Sequence, residues 1–282
     1  MEFFDLNNEE VQILRSYIIN SLRNNRIKVP KKSWSSVHSE YDHSSQTFGN
    51  YLTYVPFYPT DDFGLVPTFL LRAFEYIEKN EYFKMEGIFR RSGSHQRQKQ
   101  VSADIEASMD FSIATLFDIT DLVKTFFRKL KEPLLTNLYH DSFMHVVQHD
   151  DSKFADASLL LLCLLLPYEH LYTLRFLTLF LAKVASYSDL NGMTAKNLAV
   201  VLTPSIISQS KSKCTANGNS DPLKVAKCLE CEIKVLEKLI NIAPRVGIVP
   251  KIFLDEVRRE IDLNKKKASF TQELIKHLPC IC

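Results

Sequence analysis

The chain of 282 residues carries 35 Lys and Arg against 33 Asp and Glu. That net charge of +2 gives no reason to expect nucleic acid, which calls for a clustered basic surface. With 45% hydrophobic and 24% charged residues but only seven glycines, the composition is that of a globular chain of one large or two small domains, richer in helices than in turn-linked strands.

Val11, Ile13, Leu14, Tyr17, Ile18 and Leu22 fall near helical spacing and predict a helix over Asn7 to Arg23, capped by Asn7 or Asn8. The polar stretch Pro30 to Gln46, which holds the single Trp34, reads as an irregular linker. Tyr51 to Tyr58 is aromatic and broken by proline, an extended piece for a domain surface. Pro67 suits a helix start, where its missing N–H costs nothing, and Phe69, Leu70, Ala73, Phe74 and Ile77 then form one apolar face. Further helices are predicted over Gln96 to Ala107, Thr120 to Lys131, Leu138 to Gln148, Phe154 to Leu166, Glu169 to Ser186 and Thr194 to Leu202. Ser208 to Pro222 lacks apolar periodicity and reads as a mobile loop; a long helix follows over Leu223 to Ile240. No segment alternates as a strand does, and no repeat is visible. The expected class is all-α, with helices around a Leu- and Phe-rich core.

The densest apolar run, Leu159 to Leu166, ends at Pro167 and falls short of the roughly 18 residues of a membrane span. Glu2 and Asp5 stand where a signal peptide would be cationic. The chain therefore reads as cytoplasmic or nuclear, with no transmembrane segment. Its six cysteines are expected as thiols. Cys228 and Cys231 have CxxC spacing, but inside a helical stretch and without the second ligand pair that zinc usually takes, so no metal site is expected. The histidines show no ligand spacing with a carboxylate motif, and His145 and His149 read as helix-surface residues. With no Gly-rich phosphate loop and no nucleophile elbow, an enzyme acting alone finds little support.

The tail from Gly247 holds an amphipathic piece, Lys251 to Ile261, and a basic cluster at Lys265, Lys266 and Lys267. Its Cys280-Ile281-Cys282 end resembles the doubly prenylated tail of Rab proteins. That modification depends on a Rab-type fold, however, and a farnesyl-type signal needs cysteine where Pro279 stands, so the end reads as ordinary.

Three segments carry chemistry. In Gly87-Ile88-Phe89-Arg90-Arg91-Ser92-Gly93-Ser94, Ile88 and Phe89 can anchor a loop, each buried side chain contributing roughly 1.5–3 kcal/mol. Gly87 and Gly93 permit a sharp excursion, and the guanidinium beyond is a fork-shaped donor suited to phosphate. Read alone, the motif also fits a solvated loop with surface ion pairs, and chemistry does not separate Arg90 from Arg91. Lys124 and Arg128, four apart on a predicted helix, share one face. That face fits docking to a carboxylate, bracing of the arginine loop's carbonyls, or two solvated charges. Asn197 follows Thr194, a helix cap, and the polar edge of a buried helix has a hydrogen-bonding role, internal or toward a partner.

In this order and spacing, the arginine loop, Leu122 to Leu135 and Asn191 to Pro204 resemble the RhoGAP domain, the GTPase-activating module for Rho-family small G proteins. The resemblance spans roughly Phe48 to Ile242. It implies a 1–47 N-terminal helix and linker, a RhoGAP domain over 48–246 and a 247–282 helical, basic tail. It also implies a GTPase activator rather than an enzyme in its own right. Arg90 matches the arginine finger inserted into a GTP-bound Rho-family GTPase. Lys124, Arg128 and Asn197 match residues that contact the GTPase or brace the loop, with Gly87, Phe89, Ser92, Gly93 and Pro204 in support. Arg91 stands at a variable position, a rim or bracing residue. No cofactor is implied, because Mg²⁺ and GTP belong to the partner; a monomer is the default. A binding module that docks a GTPase without speeding hydrolysis is the alternative. The family commonly has Gly-Pro-Asn where Thr203-Pro204-Ser205 stands, and Pro where Lys131 stands. Those departures bear on partner choice, while Pro204 and Pro133 should still end their helices.

Overall fold

The computed structural model describes residues 2–31, 46–149, 153–207 and 222–276. Trp34, the segment 208–221 and the Cys280-Ile281-Cys282 end lie outside the described residues, as do the side chains of 149, 153 and 268–276.

Helix α1 (Asn8–Asn24) starts on a reciprocal cap: Asn7 accepts from the Glu10 N–H at 3.0 Å, and Glu10 accepts from the Asn7 N–H at 2.8 Å. Its Val11, Leu14, Ile18 and Leu22 are buried, one face of the 3.6-residue period. An antiparallel hairpin follows, β1 (Phe57–Thr60) and β2 (Gly64–Pro67), with Phe57 opposite Pro67 and Thr60 opposite Gly64. This corrects the expectation of no strands. Four-residue strands containing Pro59 and Pro67 are too short to display alternation. Gly64 closes the turn at φ +67°, against the ring of Tyr172 where any Cβ would clash.

The body is all-α. Helix α2 (Thr68–Lys79) starts directly after Pro67 and buries Phe69, Leu70, Ala73, Phe74 and Ile77. Next come α3 (His95–Ser108), α4 (Leu116–Lys129), α5 (Asn137–His149) and α6 (Lys153–Cys163). Helix α7 (Tyr168–Ser186) is buried along most of its length, and Phe180 stacks on Phe74 of α2 with centroids 3.7 Å apart. A short α8 (Ser188–Asn191), α9 (Ala195–Ile206), α10 (Pro222–Asn241) and α11 (Lys251–Lys276) complete the chain. One hydrophobic cluster runs from Phe3 to Val257. Helices α1 and α11 pack on each other, and the Tyr17 hydroxyl donates to Glu260 at 2.6 Å.

Two helix ends differ from expectation. Pro133 does lie beyond the end of α4, but α9 runs through Pro204 to Ile206. Near a C-terminus only one intrahelical bond, to the carbonyl of Val200, is forfeited, and burial of Ile206 favours the extra turn. Helix α11 continues past Ile261 through a charged stretch to Lys276. Among the described residues no helix is long and apolar enough to cross a membrane.

Candidate functional site

The loop between Met85 and Ser94 is held from several sides. Ile88 and Phe89 are fully buried, and the Phe89 ring meets Phe180 edge-on at 6.4 Å. Gly87 adopts φ +75°, and its carbonyl accepts from the N–H groups of both Arg90 and Arg91 at 2.9 Å. Phe89 itself is left-handed at φ +64°. For an aromatic residue that conformation costs on the order of 1–3 kcal/mol and persists only where surroundings over-determine it. The result is a tight turn with two buried side chains below and exposed Arg90 above.

Lys124 of α4 reaches under the turn and donates to the Phe89 carbonyl at 2.8 Å. The same ammonium pairs with Asp121 at 2.6 Å, and both side chains are mostly shielded from water. Asp121 also accepts from the Gly93 N–H and from Gln98 at 2.8 Å. One turn earlier, Asp118 is buried and accepts from the Ser94 N–H at 2.8 Å, from Arg97, and from the backbone and hydroxyl of Thr115. Burial works against its ionisation; the hydrogen bonds from Thr115, Arg97 and Ser94 outweigh it and hold the carboxyl below the usual carboxylate range. Gly93 packs on Asp118 so closely that a Cβ would come within 2.7 Å of the Asp118 backbone nitrogen.

From the other side, buried Asn191 accepts the Gly87 N–H on its carbonyl at 2.8 Å. Its amide donates to the carbonyls of Phe83 and Val184, and its side-chain oxygen accepts from the Met193 N–H. Asn197, exposed at the start of α9, donates to the Gly192 carbonyl at 3.0 Å, and its backbone N–H is capped by Thr194. Lys124 thus bonds the loop directly, beside Arg90, whereas Asn197 bonds Gly192, whose chain neighbour Asn191 holds Gly87. Arg128 is exposed and bonds Thr125 on its own helix at 2.9 Å, so its face is shared with Lys124 but its hydrogen bond is not with the loop. Arg91 pairs with Glu86 at 3.6 Å and lies 5.9 Å above the Phe117 ring, a bracing position. Ser92 is exposed at the tip, and Pro204 is exposed on α9.

A family model for the RhoGAP domain matches residues 67–211, slightly more than half the chain, and the match contains every loop, brace and cap residue just described. The chain belongs to the RhoGAP family. It is 31% identical over 211 residues to human Rho GTPase-activating protein 11A, covering 74% of this chain and 20% of that one. It is 37% identical over 148 residues to human Rho GTPase-activating protein 1, covering 50% of this chain and 33% of that protein. The fold matches the crystal structure of human Rho GTPase activating protein 15 with a TM-score of 0.61 at 20% identity, over 77% of this chain and 99% of that structure. The chain spans a fifth to a third of the length of these two curated relatives.

Within this RhoGAP chain, sequence reasoning passed over Asn191, Asp118 and Asp121. Thr115-x-x-Asp118 is a capping-box pattern and would have placed the start of α4 at Leu116 rather than Thr120. Asn191 carries no comparable local signal; only its burial, with side-chain bonds to the backbone of Phe83, Val184 and Met193, marks it. The CxxC pair also divides: Cys228 lies beside His140 of α5 and Glu232, while Cys231 is not part of that group. His145 is half-buried rather than on the open surface of α5.

Proposed function

We propose that this chain accelerates GTP hydrolysis by a Rho-family small GTPase, with Arg90 entering the partner's active site as an arginine finger. The observation that carries the reading is the exposed Arg90 on a turn whose neighbouring carbonyl, that of Phe89, is fixed by Lys124 at 2.8 Å. With the backbone fixed there, only the arginine's own side-chain rotamers remain to be ordered on reaching a phosphate, and its planar fork matches the developing oxyanions. An arginine supplied in trans is worth roughly 10³–10⁵ in rate. At about 1.36 kcal/mol per decade that is on the order of 4–7 kcal/mol of transition-state stabilisation. The names of the curated relatives, Rho GTPase-activating proteins, support the same reading.

In this scheme the chain holds no nucleotide. GTP and Mg²⁺ sit in the partner, and the GTP-bound form is the one engaged. Lys124 positions the finger loop, Arg128 offers an exposed guanidinium to the partner's acidic groups, and Asn197 orders the start of α9 while presenting its remaining amide valences outward. The chain acts as a monomer in the cytoplasm. Hydrolysis by a purified Rho-family GTPase, with and without catalytic amounts of the chain, tests the reading. Binding to the GTP-loaded partner with no acceleration would instead assign a docking module.

A further inference from the structure

On the helices α5 and α10, which pack on each other, three groups with metal-binding chemistry converge. We propose that His140, Cys228 and Glu232 form a binding site for one divalent transition-metal ion of the zinc class, linking α5 to α10. Their ligand atoms all lie within 4.8 Å of one another. His140 Nε2 is 2.9 Å from Glu232 Oε1, and Cys228 Sγ is 3.9 Å from the same oxygen. A tetrahedral ion with bonds of about 2.0–2.3 Å separates its ligand atoms by about 3.3–3.8 Å, so the imidazole must open from Glu232 and the sulfur close in, each by about 0.1–0.5 Å.

The arrangement has the features of such a site beyond proximity. Cys228 and Glu232 are four apart on α10, one turn of a single helix face, so both are set by the same rigid element. Asp141 lies 3.3 Å from the other ring nitrogen of His140, the carboxylate–imidazole relay that fixes which nitrogen faces a metal. The Glu232 side chain is fully buried, a costly place for a carboxylate, while His140 is 19% exposed and Cys228 half-buried, which leaves a path for the ion to enter. Thiolate, imidazole and one carboxylate form a soft, mixed donor set that suits zinc over magnesium or calcium. With the thiol deprotonated, the thiolate and carboxylate neutralise the dication, and a fourth position remains for water. Binding releases the thiol proton to the buffer, together with any proton that the His140 imidazole carries.

The test uses the full chain carrying Cys214→Ser, Cys280→Ser and Cys282→Ser, which leaves Cys228 with only the buried Cys163 and with Cys231 as other thiols. Zn²⁺ titrated by calorimetry in two buffers of different protonation enthalpy should bind at one equivalent and release at least one proton. Cobalt(II) added in its place should show a thiolate-to-metal charge-transfer band. His140→Gln and Cys228→Ser should each lower affinity by about a hundredfold or more, given that loss of an outer-shell partner alone costs 10–100-fold. Cys231→Ser should change nothing. The proposal is overturned if this protein, melting cooperatively, binds no zinc or shows no thiolate band. It is equally overturned if binding survives the His140 and Cys228 substitutions; the cluster is then an ordinary ion pair between two helices.

Discussion

Lys124 donates to the carbonyl of Phe89, the residue immediately before Arg90, at 2.8 Å. A helix side chain therefore holds the backbone of a left-handed residue in place, and the exposed arginine inherits the rigidity of α4. The loop is built in layers: buried aromatic anchor, braced carbonyl, free guanidinium.

Lys124→Met keeps the apolar stem of the side chain and removes the brace. Stimulation of GTP hydrolysis should fall by about a hundredfold, the cost of a misplacement of about 1 Å in a catalytic group. Unfolding in urea should register a smaller effect, a loss of about 1–3 kcal/mol, because the mostly shielded Asp121 loses its cation while keeping its bonds from Gly93 and Gln98. Single-turnover hydrolysis on GTP-loaded partner, compared with a urea melt, separates the two.

Asn191→Ala leaves the carbonyls of Phe83 and Val184 and the Met193 N–H without their side-chain partner. At about 1–3 kcal/mol for each buried group left unsatisfied, the protein should lose on the order of 3 kcal/mol of stability. Equilibrium denaturation measures it directly, and a loss under about 1 kcal/mol would show that water replaces the amide.

Gly93→Ala tests packing rather than backbone freedom, since Gly93 is not left-handed and the clash is with Asp118. The helix α4 backbone cannot yield, so the loop must move. Expected are a loss of about 1–3 kcal/mol, as for other overpacked sites, and reduced stimulation. A crystal structure of the variant should show the turn displaced from Asp118.

Asp118 also sets a pH dependence. Its carboxyl titrates below the unfolded value, about 3.9, so the folded state binds fewer protons there. The stabilisation is present above that pH and is lost as pH falls through the folded value. Asp118→Asn should therefore be less stable than wild type at pH 7, and the gap should close below about pH 4. Urea melts at both pH values check the sign.

Much of this was legible in the chain. The period of Phe69, Leu70, Ala73, Phe74 and Ile77 located α2, and Ile88 and Phe89 are buried as an anchored loop requires. The four-residue spacing put Lys124 on a defined face but left docking, bracing and solvation open, and only the bond to Phe89 points to the brace; Arg128 shares that face yet its hydrogen bond is within its own helix. What escaped reading is non-local. Asn191, Asp118 and Asp121 anchor backbone N–H and C=O groups that lie tens of residues away or across a turn, and no periodicity records such bonds. The left-handed Phe89 was equally hidden, because an aromatic residue gives no cue to positive φ. The hairpin and the extra turn after Pro204 were missed because short strands and helix ends are set by packing rather than local preference.

The central claim is that Arg90 is the finger. The measurement that tests it most directly is GTP hydrolysis by purified Rho-family GTPases, with a Ras control, in the presence of wild-type chain, Arg90→Ala or Arg90→Lys. Wild type should accelerate at least one Rho-family member by roughly 10³-fold or more and leave Ras unchanged. Arg90→Ala should abolish the acceleration while binding to the GTP-loaded partner stays within about tenfold, because the guanidinium acts mainly in the transition state. Lysine should restore little, lacking the planar fork. Full acceleration by Arg90→Ala would contradict the account and move the test to Arg91.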